Sequence, residues 1–112
     1  MHRAHYRQGD VLVVAVDELP PKSLPVPRED GVIVLAHGEV TGHRHAIAEP
    51  HAELLAAPED DDDDERRFLR IIGASAHLVH EEHGTITLPG GVYQVIRQRE
   101  YDPDLHAVFV ED

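Results

Sequence analysis

Short runs of aliphatic and β-branched residues recur along this chain, separated by Gly, Pro and Asp, and almost no stretch shows the spacing of an amphipathic helix. Residues 10–16 (DVLVVAV), 32–37 (VIVLAH), 43–48 (HRHAIA), 67–72 (RFLRII), 77–81 (HLVHE), 85–88 (TITL) and 92–101 (VYQVIRQREY) each read as a strand, and 106–110 (HAVFV) as a last edge strand. Residues 52–57 (AELLAA) fit a strand or a short helical turn. The first run closes at Glu18–Pro21, and because Pro20, Pro21, Pro25 and Pro27 lack the N–H that a ladder needs, a Pro-rich connector follows it. Further breaks fall at 82–84 and 89–91. The pattern predicts one all-β domain over residues 1–112. About eight or nine short strands would pack there as a compact sandwich or small barrel.

Composition narrows the chemistry. Aromatic residues make up 4% and Trp is absent, so the core must be built from Val, Leu, Ile and Ala, and stacking platforms for bases are disfavoured. Without Cys there are no disulfides, thiolate ligands or thiol nucleophiles. The absence of Cys, of a leader and of a long apolar run makes the cytoplasm the expected compartment and a membrane an unexpected partner. The net charge of −12 argues against double-stranded nucleic acid. Residues 59–65 hold seven of the 22 carboxylates, which leaves fifteen acids against ten bases, or −5, elsewhere. That acidic run predicts a solvated, mobile loop at 58–66. Its ligands are unspaced and it has no turn-forming Gly, so it does not read as a calcium loop. Pairing of sheet edges would bury apolar area that a small core lacks, so a homodimer is expected.

Ten histidines are the larger anomaly. His2, His5 and His106 lie near the ends and read as surface residues. His43 and His45 alternate with Arg44, so on a strand they share a face roughly 6–7 Å apart, with Glu49 on the same parity. Such a set supplies up to three ligands for a divalent metal, Zn²⁺, Fe²⁺, Mn²⁺ or Ni²⁺. His37 joins it if residues 38–42 fold back. In His77-Leu-Val-His80-Glu-Glu-His83, His80 has opposite parity to both other histidines. With a turn at 82–84, either His80 or His83 reaches the shared centre while the other stays at the rim.

Residues 38–49, Gly38-Glu-Val-Thr-Gly-His43-Arg-His45-Ala-Ile-Ala-Glu49, resemble the first cupin motif, and Gly84-Thr-Ile-Thr-Leu-Pro89-Gly90-Gly91-Val-Tyr-Gln94 resembles the second. The resemblance implies a cupin-like fold with His43, His45 and Glu49 as metal ligands. Gln94 stands where the family has a His, which leaves His80 or His83 to replace it. The combination of VTGHRH, HEEH and QREY also resembles a group of small bacterial proteins, a likeness that carries no activity.

Arg97 and Arg99 share a strand face flanked by Tyr93 and Tyr101, which reads either as a clamp for an anion or as a solvent-facing pair. Three functions stay open. The first is a one-metal site acting on a small anionic substrate, with Arg97 or Arg99 orienting it. The second is a metal-independent phosphodiesterase or ribonuclease using His80 and His83 as acid and base. The third is a non-catalytic module that senses metal or pH.

Overall fold

The computed structural model describes residues 4–37, 42–59 and 62–97. Among these residues there are eight strands: β1 (His5–Gln8), β2 (Val11–Val16), β3 (Leu24–Pro25), β4 (Ile33–His37), β5 (Arg44–Ile47), β6 (Ala52–Glu59), β7 (Asp62–His80) and β8 (His83–Arg97). The fold is all-β, as the periodicity predicts. All pairings between these strands are antiparallel and run in the order β1-β2-β8-β7-β5-β4, with β6 beside β7 and β3 beside β6. Buried side chains from β2, β4, β5, β6, β7 and β8 meet in one core, so the open sheet curls on itself in the manner of a small sandwich. Among the described residues, no helix is long and apolar enough to cross a membrane.

The strands differ from the expected set in length. The runs at 67–72 and 77–81 belong to a single strand of 19 residues, and those at 85–88 and 92–101 merge into one of 15 that is described to Arg97. Glycines read as separators are irregularities within continuous strands: the β7–β8 register shifts between Ile71 and Ser75. Gly73 takes φ +98°, and a Cβ on Gly90 would lie 2.0 Å from the Gly73 carbonyl oxygen. Only glycine permits that approach.

This irregularity reverses which side chains face inward. Leu69 and Ile71 are buried before it, Ala76, Leu78 and His80 after it. On β8, the buried set changes from Leu88 to Tyr93 and Val95. Unbroken alternation would have pointed His77 inward and His80 out.

Residues 52–57, undecided from sequence, form strand β6. The expected loop at 58–66 is instead largely the end of the β6–β7 hairpin. Pro58 pairs with Glu65 and Glu59 with Asp62, while residues 60 and 61 lie outside the described set. Ladder bonds are made by the main chain, so mutually repelling carboxylates do not prevent them. The strand predicted at 106–110 lies outside the described residues, as do Arg99 and Tyr101. The sequence reading missed β1 and β3. β1 has only four residues, two of them exposed, and β3 consists of two residues in the Pro-rich connector.

Candidate functional site

Four imidazoles come together on the inner side of the sheet. The β7–β8 hairpin turns through Glu81 and Glu82, which makes His80 and His83 direct cross-strand partners. Partners across a two-residue turn share a face. A further register shift between Leu78 and His80 swings His83 round to its neighbour. His80 is buried at the centre, and His83 packs against it from an exposed position. The ring centroids of His80 and His83 are 4.6 Å apart. From β5, His45 brings its ring to 4.3 Å from His80 and 6.1 Å from His83. His43, just before β5, packs edge-on against His80 at 5.7 Å. His80 is thus the hub of the cluster, and His43 and His45 share a face as their spacing predicts.

β1 and its following turn supply the floor. Gln8, 2% exposed, donates from Nε2 to the carbonyls of Leu78 and Gly84 at 3.0 and 2.9 Å, on either side of the histidine hairpin. Its Oε1 lies 2.9 Å from His45 Nδ1. Gly9 adopts φ +59°, and a Cβ there would sit 2.7 Å from His83 Nε2 and 3.3 Å from His45 Cε1. Asp10 then bridges outward, with Oδ1 3.5 Å from His45 Nε2 and Oδ2 3.4 Å from Arg97 Nη2. Arg97 also donates to the His37 carbonyl at 3.1 Å. The sequence analysis assigns Gln8 and Gly9 no part in the site. Their role depends on contacts with residues some 70 positions away, and no local pattern announces it.

Electrostatics make His45 unlike a surface histidine. Burial, then repulsion from His80, lowers its pKa to about 4, against a smaller opposing pull from Asp10. It is therefore neutral near pH 7. At the rim, the Arg44 backbone N–H donates to Glu81 and holds that carboxyl below its usual range.

The cluster offers donors suited to a metal. One ligand atom from each of His43, His80 and Glu81 lies within 4.8 Å of the others. Imidazoles sharing an ion at about 2.1 Å place their centroids roughly 4.5–6.4 Å apart, close to the spacings around His80. His43 Nδ1 is buried without a hydrogen-bond partner among the described residues, as is Arg97 Nε. His80 Nδ1 accepts the Glu82 N–H at 3.0 Å. Ligation by His80 would displace that bond at a cost of about 1 kcal/mol, which is small beside metal coordination.

Other expected residues lie elsewhere. The structure does not bring Glu49 to the imidazoles. Its carboxylate accepts from His77 at Nδ1, 2.6 Å away, and from the His77 backbone N–H. His77 and Val79 alternate with buried Leu78 and His80, so the Glu49–His77 pair occupies the outer face. His37 turns to Glu29 at 3.1 Å. Gln94 pairs with Val14 and Phe68, on the face opposite Tyr93 and Val95.

A family model, described as a domain of unknown function (DUF8820), matches residues 7–98. The chain belongs to this family. The matched segment contains Gln8, Gly9, Asp10, all four clustered histidines and Arg97, so the whole site lies within the family domain. Neither curated proteins nor solved structures give a match.

Proposed function

We propose that the domain binds one divalent transition metal at the histidine cluster and presents it to a small anionic molecule. The observation that carries this reading is the convergence of His43, His45 and His83 on His80 from different segments of the sheet, with Glu81 alongside. Packed imidazoles repel each other when protonated, whereas a shared cation satisfies several lone pairs at once. Zn²⁺, Fe²⁺, Mn²⁺ and Ni²⁺ all accept imidazole and carboxylate donors. A bound ion would supply Lewis acidity or an activated water. Arg97, next to Asp10, is the group that would orient the anion. On this reading the protein works in the cytoplasm. The edge strands β1 and β4 would pair two copies as a homodimer.

Metal analysis of untagged protein tests the reading. The expected result is close to one equivalent per chain, lost when His45 and His80 are both replaced by Ala. A metal content near zero after incubation with each of the four ions would overturn it.

A second reading rests on the ring protons. With Gln8 accepting from Nδ1–H, His45 exposes a lone pair at Nε2. His80, whose Nδ1 accepts the Glu82 N–H, carries its neutral-state proton on Nε2. With His45 as base, a protonated His80 would serve as acid, the pairing that metal-free phosphodiester cleavage requires. Cleavage of a model phosphodiester that survives chelation and is lost in H45A would favour this second reading.

A further inference from the structure

We infer that Gln8 is the positioning residue of the histidine cluster: at 2.9 Å it fixes the proton of His45 on Nδ1 against the competing carboxylate of Asp10, which lies farther off, 3.5 Å from Nε2. The side chain cannot reverse this assignment without loss. Its amide nitrogen is engaged by two main-chain carbonyls, of Leu78 and Gly84, which can only accept. That leaves only the amide oxygen for His45, and an oxygen facing Nδ1 at 2.9 Å requires the proton on Nδ1. Flipping the amide would set its oxygen against two carbonyl oxygens in a place from which water is excluded, since Gln8 is 2% exposed.

The two carbonyls flank the His80–His83 hairpin, so the same side chain ties the orientation of His45 to the position of the hairpin. Gln8 itself ends β1, and Gly9 and Asp10 follow directly. Three consecutive residues therefore orient, admit and face the imidazoles. An outer partner that sets the tautomer of a donor histidine is the usual means of tuning its ligand strength.

Two-bond ¹H–¹⁵N spectra of the metal-free, full-length protein at pH 7.5 test the inference. His45 is expected in the Nδ1–H form, in contrast to the Nε2–H form that predominates in free histidine. Finding His45 as Nε2–H would overturn the inference, whatever any variant does. Q8M retains volume but cannot accept the bond, and should move His45 to Nε2–H. A folded Q8M that still shows Nδ1–H would overturn the inference.

A second arm rests on the metal reading above and uses Zn²⁺ alone as the probe. Q8M should bind roughly 10–100-fold more weakly than the parent chain. Equal affinity in Q8M would remove the positioning role. Should the parent chain bind no Zn²⁺ or other divalent ion, the metal reading fails, while the spectra still decide the tautomer.

Discussion

The two faces of β7 carry the same residue types in two different physical states. On the inner face, His80 packs against His43, His45 and His83, beside a histidine that is 1% exposed. On the outer face, His77 forms a short hydrogen bond with Glu49, its side chain about half exposed, and His51 lies 2.7 Å from the Ser75 carbonyl. Inside, His45 and His80 are held by cross-strand geometry and by Gln8, with little water to stabilise a charge, while His83 packs on them from an exposed position. Outside, solvent is available and a single pairing dominates. The comparison teaches that a histidine's neighbours in sequence say less about its chemistry than the face it occupies. Here that face is selected by the irregularity at Gly73 and Gly90.

The contrast is broken most severely by removing ligands from one face only. If the cluster binds metal as proposed, replacing His45 and His80 with Ala should lower divalent-metal affinity by well over about 100-fold, since removing an outer-shell partner alone costs 10–100-fold. Replacing His51 and His77 should leave affinity within about threefold, on the same scale. Titration calorimetry with Zn²⁺ on both double variants reads the difference.

Next in size is the irregularity that assigns the faces. In G90A the new methyl would meet the Gly73 carbonyl, and a backbone clash of that kind should cost about 4 kcal/mol. For a domain of this size the loss corresponds to a fall in Tm of roughly 15–30 °C, which calorimetry would detect. A shift of only a few degrees would mean that the strands can cross without glycine.

The pH dependence separates the faces by sign and window. His45 has a folded pKa of about 4, below its unfolded value near 6.5, so the unfolded chain binds the extra proton between those values. Stability of the metal-free protein should be fully present above pH 6.5 and fall by about 3 kcal/mol as the pH drops to 4. H45Q should flatten that slope in urea titrations, and an unchanged slope would mean that another group controls it.

The smallest effect belongs to the outer pair. Burial raises the Glu49 pKa, but hydrogen bonds from the ring and backbone N–H of His77 outweigh it, and the net shift is downward. A depressed carboxylate stabilises the fold above its unfolded pKa, and that stabilisation is lost as the pH falls through the folded value. E49Q should therefore cost less than about 1 kcal/mol near pH 7, given solvent screening, and nothing once both forms are protonated. A cost comparable to that of the inner face would erase the distinction.

Much of the fold was legible along the chain because alternation of apolar residues is a local property. Runs at 10–16, 32–37 and 67–72 fall on β2, β4 and β7 for that reason. Strand continuity was not legible, because Gly73 and the Pro89-Gly90-Gly91 stretch look the same whether they end a strand or deform one. The shared face of His43 and His45 followed from their spacing, and both do lie against His80. Glu49 had the right parity, but the chain leaves β5 at Ile47, and its carboxylate is drawn to His77. Gln8 and Asp10 could not have been found from spacing, since each acts on residues brought near by sheet pairing.

The sequence by itself determined an all-β domain, an excess of histidine and the facing of the His43/His45 pair, because each depends on composition or on alternation within one strand. Tertiary structure decided which of the remaining histidines join that pair. The choice between His77 and His80 turns on a change of parity at one glycine irregularity, and the arrival of His83 on a second shift beside the turn. Both are differences of a single residue in register, invisible to a pattern of period two and sufficient to exchange the inside of a sheet for its outside.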